Sequence, residues 1–303
     1  MKFKPVVRFI ISVWLLVTLN FILIRLLPGG PLDRLESLNP TVAQKLTQEF
    51  KLDAQPLTQY FTYISNIIQG DFGPSLAFPG STVTDVICQA LRITLNLNLI
   101  SLVLVFIISG FFVWALFRNP QGFTAIVFYF LSLSVVSAPS VLVAPVLILI
   151  FSVRLGWVPA AFLTRPEHYI LPALILALRP AVYLTRNLAS IMEDEFQKDY
   201  VRTAKAKGLG MNGIIFKHVL KNSIVPVLNL LGPLFVGLLS GSAFVEILFA
   251  IQGLGHLFIN SLQERDYFLS SGLVFYFGVT LLLLSAFFDF VAFRVDRRLE
   301  GVR

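Results

Sequence analysis

The sequence predicts an all-α, polytopic membrane protein with six transmembrane helices and both termini in the cytoplasm. Three observations predict it. The 303 residues are 56% hydrophobic and only 14% charged, where soluble domains run nearer a quarter charged. Six apolar stretches match or exceed the roughly 20 residues a helix needs to cross a bilayer core. The basic residues gather in alternate connections, as they do in multi-pass proteins.

Taken in order, the first span is Phe9–Leu27. A basic and then apolar start has the look of a signal peptide. Here, however, the apolar run is long and leads into Pro28-Gly29-Gly30-Pro31 instead of a small-residue cleavage site, so it reads as a retained span. Residues 28–91 are polar, with turn signals at 28–31 and at Gly70-Asp71-Phe72-Gly73. They read as an external segment with amphipathic helices around Thr41–Phe50 and Pro56–Ile68, Pro56 suiting a first helical position. Residues 92–303 form the core. Its spans are Ile93–Phe117, Phe123–Val153, Tyr169–Ala189, Ile224–Phe249 and Phe268–Phe293. The second of these five carries Pro139 and Pro145 and reads as kinked or broken.

Charge sets the orientation. With the N-terminus inside, 15 of the 24 lysines and arginines fall on the inner side. They include Arg118, Arg186, Lys198, Arg202, Lys205, Lys207, Lys217, Lys221, Arg294, Arg297 and Arg298. The loop 190–222 is then cytoplasmic, and it contains the most basic run of the chain, Asp-Tyr-Val-Arg-Thr-Ala-Lys-Ala-Lys-Gly-Leu at 199–209.

That loop carries helix signals. Ser190 and Glu193 have capping-box spacing and predict a helix start. Acids (Glu193, Asp194, Glu195, Asp199) come early and bases (Arg202, Lys205, Lys207) late, which complements a helix dipole. Gly208 reads as the terminating glycine, and a second helix starts at Asn212 or Gly213. Ala204 and Ala206 offer a small face for close approach, and Tyr200 an aromatic anchor. Two readings stand: a helix gripped by a soluble protein, or a basic loop that merely sets topology.

The remaining polar residues are weighed as candidate sites because intramembrane charge is costly. Arg25, Arg92 and Arg179 read as lying near outer ends and Arg186 near the inner end, where long side chains snorkel. Glu246 follows Ser240-Gly241-Ser242 and either faces a pathway, clamps an external loop or makes a structural hydrogen bond. Asp289 reads as a partner for Arg294 or Arg186. Ser132, Ser134, Ser137 and Ser140 either line a polar path or serve helix packing. Ser137, Ser242 and Glu246 are therefore the candidate pathway or gate residues. Catalytic and metal chemistry are not indicated. There is one cysteine, Cys88, and the three histidines lie far apart. No G-x-x-x-x-G-K-[ST] phosphate loop, serine–histidine–acid set or H-E-x-x-H occurs.

The 199–209 run, followed by Lys-His-Val-Leu-Lys-Asn-Ser-Ile-Val-Pro-Val-Leu at 217–228, resembles the coupling loop of ABC-importer permeases of the dipeptide, oligopeptide and nickel branch. LLPGGP at 26–31, GDFGPSL at 70–76, RITLNL at 92–97, SVRLGWVPA at 152–160 and FVEILFAIQGLG at 244–255 extend the resemblance nearly end to end. Three departures stand: Arg202-Thr203-Ala204 where the general importer loop starts Glu-Ala-Ala, Gln252 where a proline often precedes the GLG, and Asp296-Arg297-Arg298 where Asp-Pro-Arg is frequent.

The resemblance implies a type I importer permease in a prokaryotic inner membrane. It implies pairing with a second, homologous permease, two cytoplasmic ATPases that hold ATP and Mg, and an external solute-binding protein. It implies contact with lipid and none with nucleic acid. Asp199, Tyr200, Arg202, Thr203, Ala204, Lys205, Ala206 and Gly208 would form the ATPase-coupling surface, and the chain itself would bind no cofactor. The rival readings are a self-contained secondary transporter, which would need coupling-ion ligands in the bundle, and a membrane scaffold.

Overall fold

In a computed structural model, which describes residues 3–26, 40–137, 140–159 and 165–295, apolar sequence has become long helices. The helices are α1 (Phe3–Leu26), α2 (Pro40–Glu49), α3 (Pro56–Gln69), α4 (Val83–Arg118), α5 (Phe123–Ser137) and α6 (Ser140–Ile148). After them come α7 (Ile170–Phe196), α8 (Asp199–Ala206), α9 (Met211–Ile214), α10 (Leu220–Leu248), α11 (Leu254–Gln263) and α12 (Tyr267–Val295). The only β pairing among the described residues is an isolated bridge between Pro74 and Thr82.

Among the described residues, five helical stretches are long and apolar enough to cross a membrane: Val6–Leu26, Val83–Arg118, Glu167–Phe196, Pro226–Leu248 and Tyr267–Phe288. The expected span Phe123–Val153 is instead two shorter apolar pieces, α5 and α6, with α6 running into a wide π turn at Leu149–Arg154. Pro139 lies outside the described residues, as do Pro28-Gly29-Gly30-Pro31, Asp296-Arg297-Arg298 and the side chain of Asp289. The other span helices run beyond their sequence limits at one end at least: α1 and α10 start earlier, α7 ends later, and α12 extends at both ends. Helix α4 has 36 residues, about 54 Å at 1.5 Å per residue, and begins ten residues before Ile93. Apolar ends in the sequence do not mark helix ends, because Val83–Leu91 carries no helix breaker.

The chain divides into two compact units, Met1–Thr94 with Gln252–Leu283 and Leu95–Ile251 with Leu284–Arg303. In the first, α3 lies against α1. Thr18 Oγ1 is 2.7 Å from Tyr60 Oη, and Asn20 Nδ2 donates to Tyr63 Oη at 2.8 Å and to the Ser271 carbonyl at 3.0 Å. Burial pushes the Tyr63 phenol above its ordinary pKa, partly offset by its bonds to Ser271 and Asn20. A Cβ on Gly272 would stand 2.5 Å from Val83 Cγ1, so α12 and the start of α4 meet through a missing side chain. Between membrane helices, where lipid is as apolar as leucine, such close approach is the main source of packing.

The family-like segments of this unit are joined by buried polar contacts. Asp266, fully buried, precedes α12 and accepts Leu269 N–H at 3.0 Å. Its other oxygen accepts Ser75 Oγ at 2.7 Å and Ala77 N–H at 2.9 Å, which clamps the GDFGPSL segment. Thr94 Oγ1, within RITLNL, accepts the N–H of Leu254 at 2.8 Å at the start of α11, in GLG. These pairs satisfy helix-end N–H groups that would otherwise be orphaned.

In the second unit α10 packs along α7. A Cβ on Gly241 would lie 3.3 Å from Leu176 Cδ1. Prolines 180, 226 and 233 lie inside these helices, where each removes one backbone hydrogen bond. The buried hydroxyls close locally: Thr185 donates to Ala181 O at 2.7 Å, Ser223 to Val219 O at 2.9 Å and Ser242 to Leu239 O at 2.8 Å.

Candidate functional site

The helix predicted in the basic loop exists, but it starts later than the capping pattern indicates. Ser190 and Glu193 lie inside α7, which continues to Phe196. The break comes at Gln197-Lys198, and α8 begins at Asp199 with Lys198 extended before it. Asp199 in the first turn and Lys205 in the last do complement the helix dipole. The end is a Schellman motif: Gly208 N–H donates to Lys205 O at 2.9 Å and Leu209 N–H to Ala204 O at 3.2 Å. Gly208 has φ +76°, a conformation glycine adopts without steric cost.

Two faces of α8 are chemically distinct. Val201 and Ala204 are buried in one apolar cluster with Val113 of α4, Met192 of α7, Ile214 and Ile215, and Val219. Phe117 and Phe196 stack beside it with centroids 5.0 Å apart. The cluster therefore ties α8 to the ends of three long helices, since Leu220 of α10 and Leu188 of α7 also pack on it. Burying one such valine or leucine stabilises by roughly 1.5–3 kcal/mol. Tyr200, half-buried, donates to Glu195 Oε2 at 2.7 Å. Burial first, and then the Glu195 carboxylate, push the phenol above its ordinary pKa, so it holds its proton for this bond at neutral pH.

The opposite face is exposed and basic. Arg202, Thr203, Lys205, Ala206, Lys207 and Gly208 are all exposed, as are Lys198, Lys217 and Lys221 nearby. Arg202 reaches Asp199 at 3.4 Å, but both are so exposed that the pair contributes little. The small-faced docking surface read from Ala204 and Ala206 is corrected here: Ala206 is exposed, but Ala204 is 4% exposed and points into the cluster. Its small size allows α8 to lie close to the spans.

Of the candidate pathway residues, Ser242 and Glu246 lie one turn apart on α10, while Ser137 lies on α5. Ser242 and Glu246 are fully buried, and Ser137 is exposed at the end of α5. None of them lines the large cavity of this unit, about 1030 Å³, whose walls come from α5, α6, α7 and α10. That cavity instead receives Arg179, Tyr183 and Arg186. Arg179 lies nine residues into α7, away from the outer end where the sequence reading put it. The helix that is long and apolar enough to cross is Glu167–Phe196, with charged residues at 193–195, so Arg179 lies about 18 Å from its start and Arg186 about 15 Å from its end along the axis. Arg25, by contrast, is at a span end, donates to Gln59 Oε1 at 3.1 Å and lies 3.5 Å over the Phe21 ring. No metal-ligand cluster occurs among the described residues.

Asp266, Asn20 and Thr94 were missed by sequence reasoning. Asp266 had a usable signal, an aspartate directly before an apolar run, which is where an N-cap stands.

Comparison with known proteins bears on the whole chain. Residues 107–301 match the family described as binding-protein-dependent transport system inner membrane component. Over 292 residues the chain is 34% identical to the dipeptide transport system permease protein DppB of Bacillus subtilis, covering 95% of this chain and 94% of the relative. It is 33% identical over 302 residues to the oligopeptide transport system permease protein OppB of Haemophilus influenzae, covering 98% of each. A third relative, OppB of Salmonella typhimurium, is 33% identical over 272 residues, 88% of each chain.

Proposed function

The chain belongs to the family of binding-protein-dependent transport system inner membrane components, and from that premise we propose that it forms half of the pathway of an ATP-driven importer for peptides or similar small solutes. It is a multi-pass protein of the inner membrane. The peptide cargo is inferred from relatives whose names specify dipeptide and oligopeptide transport. A second, homologous permease completes the pathway, two cytoplasmic ATPases drive it, and an external binding protein delivers the solute. ATP and Mg sit on the ATPases, since this sequence carries no phosphate loop of its own. Both termini and α8 lie in the cytoplasm, and residues 28–91 on the outer side.

The observation that carries this reading is the two-faced α8. Its exposed residues, Asp199, Arg202, Thr203, Lys205, Ala206 and Gly208, form the ATPase contact. Tyr200 and Ala204 hold the helix to the spans. An ATPase that moves on closing around ATP pulls α8, and the apolar cluster carries the displacement into α4, α7 and α10 together, because a packed core does not stretch.

The test is uptake of a labelled dipeptide by proteoliposomes holding the complex purified through this chain. Uptake should require ATP with the ATPases and the binding protein outside. Uptake driven by an ion gradient and indifferent to ATP would identify a secondary transporter instead.

A further inference from the structure

We propose that Arg179 and Arg186, with Tyr183 between them, form a carboxylate-binding subsite in the cavity of the second unit and receive the C-terminal carboxylate of a peptide in transit. The proposal rests on the peptide-import reading above and adds which group of the cargo is recognised, and where. The three residues are spaced by four and three, so they share one face of α7. All three line the same cavity of about 1030 Å³, at the upper end of the size of small-molecule sites.

Three physical arguments converge. First, Arg179 sits near the middle of a membrane-crossing stretch, farther from either end than its side chain can reach, and a charge at that depth marks a polar path. Second, the cavity is lined by two cations and by no aspartate or glutamate among the described residues. Arg179, Tyr183 and Arg186 are exposed to that space, so both guanidinium groups are within reach of a solute in it. Third, the remaining walls, such as Val136, Val143, Ile175, Leu234 and Phe244, are apolar. They accept side chains of many shapes without reading them. Every unmodified peptide ends in a carboxylate, whatever its side chains, and guanidinium matches carboxylate with two parallel hydrogen bonds. The site thus grips the invariant end and tolerates the variable part. The Arg179 side chain is oriented along the wall by its Nε, which donates to Val135 O at 3.4 Å.

The test uses the intact complex and a tripeptide bearing a photoreactive diazirine, as the free acid and as its C-terminal amide. Labelling of the α7 wall in the absence of binding protein should favour the acid by about tenfold, the size of one charge-assisted contact. Arg179→Gln with Arg186→Gln should abolish the preference, and Arg179→Lys with Arg186→Lys, which keeps the charge but loses the paired hydrogen bonds, should retain only part of it. Co-purification of the second permease and the ATPases with each variant, and an unchanged thermal midpoint in detergent, separate recognition from misfolding. Equal labelling by acid and amide in the unmodified protein, or a preference that survives the double glutamine change, would overturn the subsite. ATP-driven uptake of the acid is measured in parallel. Uptake without labelling preference sinks the subsite alone, whereas preference without uptake keeps an anion site and sinks the import reading.

Discussion

Ala204 and Lys205 are neighbours in the chain and face opposite ways, and that difference decides what each substitution should do. Ala204→Trp forces a large ring into a cluster that already holds Val201, Met192 and Ile215. Overpacking of this kind costs about 1–3 kcal/mol, so α8 should be displaced from the spans and uptake should fall although the protein still inserts. Normal uptake by a well-expressed Ala204→Trp protein would count against the clasp. Lys205→Glu leaves the cluster untouched, so membrane abundance by immunoblot should not change while uptake drops by about tenfold, as for a reversed charge at a docked surface. Asp266→Ala removes the acceptor for Ser75, Ala77 and Leu269. Each donor left unsatisfied costs about 1–3 kcal/mol, and the thermal midpoint in detergent should fall by several degrees; an unchanged midpoint would show the clamp to be dispensable. At this scale the sequence was partly legible. Gly208 was readable because glycine after a basic helix end has one common use. The direction of Ala204 was not, because an eight-residue helix carries too few apolar residues to define its buried face without its neighbours.

Elements were more legible than their ends. Long apolar runs identify the spanning helices because no other structure satisfies the backbone in lipid. Their limits failed where polar residues continue a helix beyond the apolar run, as at Val83–Leu91 and at Ser190–Phe196. The Ser190–Glu193 spacing misled because a capping box signals a start only if the preceding residues leave the helix, and Arg186–Ala189 do not. The same extension leaves Arg186 ten residues short of the end of α7, where the apolar run alone put it near the end. Contact between elements is readable only after folding: Gly272 is one glycine of 19 in sequence, yet in the structure it admits Val83 and Ile87. Gly272→Val should cost about 1–3 kcal/mol by overpacking. It should lower the amount of folded protein recovered from membranes, while Gly237→Val, whose added Cβ meets nothing within 4 Å, should not.

For the whole molecule, the proposed role is that of a transmission part: chemistry on another subunit would enter through α8 and leave as motion of three long helices. A proposed orientation was approachable from the sequence through the basic residues, and a proposed ATPase partnership through the missing phosphate loop. The cavity was not, because its walls are drawn from four helices separated by as many as a hundred residues. The central claim is met most directly by a cross-link. Lys205→Cys is introduced with Cys88→Ser, since Cys88 is the only cysteine and is exposed, and the complex is treated in proteoliposomes with a short, reducible thiol–amine cross-linker. The account predicts a bond to a subunit carrying a phosphate loop, identified by mass spectrometry, with loss of ATP-driven uptake that returns on reduction. A cysteine at position 205 that links to no such subunit, in a complex that still imports, would contradict it.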